Sequence, residues 1–407
     1  MTLASFARRA ASTATAAAPS KVLVVGAGAI GLRTALEFCL QKVPVVVRAP
    51  EHPRHSCSAG AGGFWMPFKC DDPRIDQWAL TTLDDLLDLA ASDSKNKNKE
   101  LVEILPAIAL YRENSGPSVE SMTTNEYFKF AHFPDWTKDP RIEFQHLTVE
   151  MLSWQNSAYR LKIPPLSELK NAGYLYAWMF KSPICNAPNM LDYYINEISE
   201  THKMDLDVET NEPYESLEHM QESARSLGCD LIVNCTGMGA RELVNDTELV
   251  PGRGAVLQFD RKTSERRVPV IMETESGAPN LHDAVITCSF EPWGSATHPA
   301  YLIPRGDKIV VGGTVLEGDE EPNIRPEERE KLFQNAEWLG IDVQNSPPPV
   351  GEWVGFRPVR PLIKCEFDDT NDTSIPIFHN YGHGGSGWTV HVGAAKECVN
   401  QVLGKKS

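Results

Sequence analysis

The spacing of hydrophobic positions changes abruptly near the N-terminus. Lys21-Val-Leu-Val-Val-Gly-Ala-Gly-Ala-Ile-Gly-Leu-Arg-Thr-Ala-Leu-Glu37 begins as an unbroken apolar run and passes through glycines. Leu32, Ala35, Leu36 and Leu40 then recur at helical spacing. Such a run reads as a strand, and the switch to a 3.6-residue period predicts strand, turn, helix. A second apolar run, Val43-Pro-Val-Val-Val47, predicts the next strand. Residues 76–92 alternate as an amphipathic helix, 93–100 are a polar loop, and 189–201 suit another helix. Ala107-Ile-Ala-Leu-Tyr-Arg112 has the alternation of a strand in a second domain. Cys229-Asp-Leu-Ile-Val-Asn-Cys-Thr-Gly237 is a further strand whose carboxyl end carries Asn, Thr and Gly. In an open α/β sheet that end is where ligands sit.

The first turn has a specific chemistry. Gly26, Gly28 and Gly31 have G-x-G-x-x-G spacing between a strand and a helix, the setting a dinucleotide fingerprint requires. Gly26 permits the sharp turn, Gly28 and the following Ala29 and Ile30 bring backbone close to a pyrophosphate, and Gly31 lets helix and strand pack. Phosphate would sit on the free N–H groups at the helix start. The nucleotide's identity stays open at this level. Glu51 is the carboxylate nearest the second strand and suits a ribose hydroxyl; Arg48 suits a 2′-phosphate, or is a solvated strand-end arginine. Ser56-Cys-Ser-Ala-Gly-Ala-Gly-Gly-Phe-Trp65 is a small-residue loop pressed against something, with the Ser56 and Ser58 hydroxyls suited to phosphate oxygens and Cys57, Gly63 and Phe64 beside them.

Composition narrows the field. A net charge of −16 across 407 residues opposes a nucleic-acid partner, and no apolar run is long enough to span a bilayer. Nine cysteines, scattered and without C-x-x-C, fit a reduced compartment and argue against a disulfide framework or a zinc site. Residues 1–20 are rich in Ala, Ser and Thr, with two Arg and no acid, the composition of a mitochondrial or plastid transit peptide. The C-terminus, Gly-Lys-Lys-Ser407, is not an S-K-L type peroxisomal signal. Peroxisome and cytoplasm remain the other compartments.

Two strings near the C-terminus add a second site. Gly355-Phe-Arg-Pro-Val-Arg-Pro361 puts Arg357 in a proline-bounded segment, where prolines should prevent regular pairing and hold the guanidinium by backbone stiffness. A fixed guanidinium suits a bidentate carboxylate. His379-Asn-Tyr-Gly-His-Gly-Gly-Ser-Gly-Trp-Thr389 forms a glycine cradle before a helix. Within it, His383 reads either as a base or, more ordinarily, as a histidine held by hydrogen bonds.

Together these strings resemble the D-amino-acid oxidase family, which includes D-aspartate oxidase. The resemblance rests on Gly26–Gly31, Asn234-Cys-Thr-Gly237, Pro251-Gly-Arg-Gly254, Tyr301-Leu-Ile-Pro304, Val311-Gly-Gly313, Gly355–Pro361 and Asn380-Tyr-Gly-His-Gly-Gly385, in family order across residues 21–402. It implies FAD as cofactor and an α/β fold with a Rossmann-like FAD-binding domain beside a mostly antiparallel substrate-binding domain. The expected pieces are 21–68, 165–250 and 355–402 for FAD, with 69–164 and 251–354 for substrate. The implied reaction oxidises a neutral D-amino acid by hydride transfer to flavin N5, with O2 as final acceptor. It yields a 2-oxo acid, ammonia and hydrogen peroxide without a side-chain base.

By motif position, Arg357 would meet the substrate carboxylate with Tyr301, and the Gly385 carbonyl would meet the amine. Gly384, Gly385, Gly387, Trp388 and Thr389 would face the isoalloxazine end, Arg357 would touch it, and Thr236 and Gly237 would join the cofactor site. Arg360 would support Arg357. The chain departs from the pattern at Thr297, where the family has a lid tyrosine, and at Ser386. Residues 286–300 contain no Lys or Arg, which favours neutral substrates over D-aspartate, although Arg305 lies just beyond. A glycine or secondary-amine oxidase and a silent flavoprotein scaffold are the other readings. A homodimer is a family expectation that no residue pattern supports.

Overall fold

The computed structural model describes residues 18–67, 72–92, 101–112, 133–153, 161–210, 212–266, 283–288, 297–368 and 375–405. Most of the transit-like segment, the 93–100 loop and lid residues 289–296 lie outside them.

The strands are β1 (Val22–Val25), β2 (Val45–Arg48), β3 (Val102–Tyr111), β4 (Gln145–Thr148), β5 (Tyr176–Cys185), β6 (Asp205–Asp207) and β7 (Leu231–Asn234). They continue with β8 (Val250–Asp260), β9 (Val285–Cys288), β10 (Ala300–Arg305), β11 (Lys308–Gly312), β12 (Leu316–Glu317), β13 (Gly351–Phe367) and β14 (Ile377–His383). The helices that matter here are α1 (Ala29–Leu40), α2 (Cys57–Gly60), α3 (Ile75–Ala91), α4 (Leu166–Asn171), α5 (Ala187–Asn196), α6 (Leu217–Ser226), α7 (Ala240–Leu243), α8 (Pro326–Trp338) and α9 (Gly387–Val402). Sheet order is β4-β5-β3-β9-β10-β11-β8-β13-β14-β7-β1-β2-β6, with β12 paired to β8.

One end of this path is parallel. β6, β2, β1, β7 and β14 pair in parallel, and their alternating residues feed two cores. Val22 and Val24 pack with Leu32, Phe38, Leu83 and Val390 beneath α1, α3 and α9, while Leu23 and Val25 pack with Met220 and Ala224 of α6. That two-period division explains the all-apolar strand. The other end is mainly antiparallel, and α8 covers its outer face through Leu332 and Ala336 against Leu257, Leu302 and Val311. β5 pairs antiparallel with β3, so Tyr176–Cys185 belongs to this half although the sequence reading grouped it with the nucleotide segments.

β13 joins the two ends. It pairs with β8 from Gly351 to Val359 and with β14 from Val359 to Phe367, with a register shift between Val359 and Lys364. The Gly355–Pro361 segment is therefore part of a 17-residue strand, which corrects the expectation of an unpaired, proline-stiffened stretch. Pro358 stands opposite Pro251. Two prolines can face each other where the ladder asks neither for an N–H, the non-hydrogen-bonded antiparallel pair. Pro361 falls within the register shift, where regular pairing has already lapsed.

Candidate functional site

A cavity of about 700 Å³ opens where β13 passes from one half of the sheet to the other. That is within the usual size of a cofactor or ligand pocket. The ends of β1 and β7, the α2 loop, β10, β13 and the turn after β14 all line it.

Close packing shapes the β1 end. A Cβ on Gly26, whose φ is 105°, would lie 2.4 Å from the Cys235 carbonyl oxygen, and one on Gly31 would lie 1.9 Å from the Gly26 oxygen. Gly26, Gly28, Ala29 and Ile30 line the cavity, whereas Gly31 packs helix on strand without lining it. The first α1 amides lack intrahelical acceptors, as at every helix start. One of them, Ala29 N–H, donates to the Ser58 hydroxyl at 3.0 Å. Ser58 thus closes over the helix start, and Ser56 spends its proton on the Pro53 carbonyl. Both hydroxyls line the cavity already engaged by the chain itself. Thr236 and Gly237 line it too, the Thr236 hydroxyl donating to Asn234 Oδ1 at 2.8 Å.

Glu51 lines the cavity past β2. Arg48 instead grips Asp205 with both Nη atoms, at 3.0 and 2.9 Å, so the 2′-phosphate reading loses its cation. Pro213 and Tyr214 also reach this end. Sequence reasoning missed them, because the loop before α6 has no motif and comes near only through folding.

The other end holds the polar machinery. Arg357 Nη1 donates to the Thr314 carbonyl at 3.0 Å and more weakly to the Gly252 carbonyl at 3.3 Å. The guanidinium lies on Gly254, where a Cβ would come within 2.2 Å of Nη1. The Tyr301 ring lies on Gly312 and Gly313, where Cβ atoms would come within 2.0 Å of Cζ and 2.7 Å of the hydroxyl. Burial pushes the Tyr301 phenol up while the hydrogen-bonded Arg357 pulls it down. Gly254 and the Gly312–Gly313 pair are therefore the floors beneath the Arg357 and Tyr301 side chains. Cys57 lies beside them, its Sγ 3.2 Å from where a Gly355 Cβ would be; burial raises its thiol against the pull of Arg357.

The turn after β14 shares this cavity with the pair. Gly384, Gly385, Gly387 and Trp388 line it, as do Gly63 and Phe64 from the α2 loop. Trp388 Nε1 donates to the Ser58 carbonyl at 2.9 Å, tying the turn to the phosphate end. Thr389 does not line the cavity; its hydroxyl donates to the Met66 carbonyl at 3.0 Å and holds the α2 loop. His383 lines the cavity and is pushed down to about 3, by burial first and by Arg74 second. Its Nε2 has no hydrogen-bond partner among the described residues, so burial rather than a network holds this end of the ring.

Three expectations change. Arg360 does not reach Arg357: residues three apart in a strand point to opposite faces. It pairs with Asp246 and Glu248, and Asp246 accepts the Tyr381 hydroxyl at 2.8 Å. Arg305 is buried and donates to the Ala59 carbonyl at 3.0 Å and to Ala61, so it fastens the α2 loop instead of meeting substrate. Thr297 is exposed and off the cavity wall; its carbonyl accepts Val315 N–H at 2.7 Å.

A glycine cradle at a helix start, joined in one cavity to a glycine turn and a backed arginine, fits a long dinucleotide cofactor. Residues 21–401 match the family model described as FAD dependent oxidoreductase. The chain is 26% identical over 394 residues to a D-amino-acid oxidase of Dictyostelium discoideum, covering 94% of this chain and 91% of the relative. It is 25% identical over 393 residues to a D-aspartate oxidase of Homo sapiens, covering 94% of each. In fold it is similar to a glycine oxidase from Geobacillus kaustophilus, with a TM-score of 0.67 at 15% identity over 96% of this chain and 95% of the other. With residues 21–401 matched, the chain belongs to the FAD dependent oxidoreductase family and has FAD as its cofactor.

Proposed function

We propose that the protein oxidises neutral D-amino acids to 2-oxo acids, releasing ammonia and hydrogen peroxide. The observation that carries this is the Arg357–Tyr301 pair, laid on glycine floors and lining one cavity with the Gly384–Gly385 turn. Bound FAD supplies the two-electron acceptor for the Cα–H bond, and O2 takes those electrons on as hydrogen peroxide.

The chain's own residues do the rest. Arg357, held from behind by two carbonyls, offers a charged fork to the α-carboxylate, and the Tyr301 hydroxyl donates to the same group. The Gly385 carbonyl accepts an amine N–H. The amine must be neutral for its lone pair to replace the departing hydride, and the imino acid then adds water and loses ammonia. No side-chain base takes part; a histidine held near 3 is a poor one at neutral pH. Among the described residues Arg357 is the only Lys or Arg lining the cavity. A substrate side-chain carboxylate would lack a partner there, and burying it unpaired is costly.

Peroxide formation with D-alanine, L-alanine, glycine and D-aspartate tests the reading. Turnover of D-alanine well above the other three is expected. Preference for D-aspartate or glycine would move the substrate class, and preference for L-alanine would overturn the handedness.

A further inference from the structure

α9 begins in the cavity wall, and hydrogen bonds run from its first turn in two directions. His391, one turn into the helix, brings Nδ1 to 2.9 Å from the Trp388 carbonyl oxygen. A carbonyl only accepts, so Nδ1 carries the ring proton and Nε2 keeps its lone pair. That lone pair accepts the Tyr194 hydroxyl of α5 at 2.8 Å. In the other direction the Trp388 indole N–H donates to the Ser58 carbonyl at 2.9 Å, and the Ser58 hydroxyl accepts the Ala29 N–H at the start of α1. Ala29, Ser58 and Trp388 line the cavity, whereas His391 and Tyr194 stand behind it.

The two hidden residues have nothing to give a bound molecule directly. Both are buried, and burial pushes the Tyr194 phenol up and the His391 imidazole down to about 3, so both are neutral at neutral pH. Both His391 nitrogens and the Tyr194 hydroxyl are spent within the chain of bonds. What they can do is fix Trp388. The His391 ring meets the indole edge to face, centroids 5.0 Å apart, while its Nδ1–H holds the backbone of the same residue.

We infer that Tyr194 and His391 are positioning residues for FAD, acting through Trp388 and Ser58 to hold the glycine turn after β14 and the start of α1 in one cofactor-binding arrangement. The inference rests on FAD as the cofactor and not on the proposed substrate. Ser58 is the link, because its carbonyl serves one end of the cavity and its hydroxyl the other. Removing the Tyr194 hydroxyl leaves Nε2 buried without a partner, and the imidazole no longer has a single favoured tautomer and orientation. The indole then loses its fixed seat, and the loss is read where the cofactor touches both ends.

The test measures FAD release. Holoenzyme is diluted in steps and the freed flavin is followed by its fluorescence, giving Kd for wild type, Tyr194→Phe, Trp388→Phe and the double variant. Each single change should raise Kd about three- to tenfold, the span of one neutral hydrogen bond. The double variant should stay within about twofold of the weaker-binding single one, since both changes cut the same chain. A Tyr194→Phe protein that melts earlier but holds FAD as tightly as wild type would reduce the pair to packing and overturn the inference. Single effects that multiply in the double variant would overturn it too, by showing that Tyr194 does not act through Trp388. If Tyr194→Phe does not fold, His391→Phe takes its place and the same outcomes decide.

Discussion

Arg357 keeps its orientation because carbonyls of Gly252 and Thr314 hold one Nη and Gly254 leaves room for the fork. Arg357→Lys keeps the charge but not the planar fork, so KM for D-alanine should rise about 30-fold or more with FAD still bound. A wild-type KM would remove Arg357 from carboxylate binding. Gly254→Val should give the same phenotype without changing the arginine, since a Cβ there meets Nη1 at 2.2 Å. Unchanged kinetics in that variant would separate the floor from the function. His383 and His391 are both pushed down to about 3, by burial first. An unfolded histidine protonates near 6.5, so the unfolded chain takes up protons that the folded one refuses. Their contribution is complete above about pH 6.5 and is lost as pH falls towards 3, by at most about 1.4 kcal/mol per pH unit for each. Thermal unfolding against pH should therefore show a shallower acid slope in His383→Asn, and an unchanged slope would contradict the burial account. At this scale the sequence offered candidate residues for the chemistry but not whom they touch. Arg305 and Arg360 look as available as Arg357 in one dimension; only folding commits them to the Ala59 and Ala61 carbonyls and to Asp246 and Glu248.

Elements were legible where local period and burial agree. Val22–Val25, Ala29–Leu40 and Ile75–Ala91 stand close to where apolar spacing puts them, because each buries the pattern it displays. β13 was not, because proline's local veto on pairing was overridden by a partner proline across the strand. The cross-strand row of Thr287, Ala109 and Trp178 was not legible either, since its members are far apart in sequence and meet only through register. Glycines also divide at this scale. Gly31→Ala sets a Cβ 1.9 Å from the Gly26 oxygen and should part helix from strand, whereas at Gly228, off the cavity and with φ of 68°, a Cβ meets nothing within 4 Å. Gly31→Ala should purify colourless or fail to fold, and Gly228→Ala should keep its flavin and lose only about 1 kcal/mol of stability. Visible absorbance and thermal unfolding read both, and a yellow, stable Gly31→Ala would refute the close-packing role.

For the whole molecule, β13 brings the glycine turn after β1 and the Arg357–Tyr301 pair into one cavity by belonging to both halves of the sheet. A cofactor bound across that junction stabilises the native state alone, by about 2.7 kcal/mol at a hundredfold excess over its Kd. Added FAD should therefore raise the melting temperature of the entire chain in one transition. Two transitions, with only one of them sensitive to FAD, would mean that the halves fold separately. In the proposed reaction, electrons pass from substrate to flavin and then to O2. Purified holoprotein should be mixed without oxygen with D-alanine and, separately, with D-aspartate, while the visible flavin absorbance is followed. Bleaching by D-alanine, weak or no bleaching by D-aspartate, and recovery with hydrogen peroxide on admitting air are the predicted results. A flavin that stays oxidised with D-alanine, or that only D-aspartate bleaches, would contradict the account.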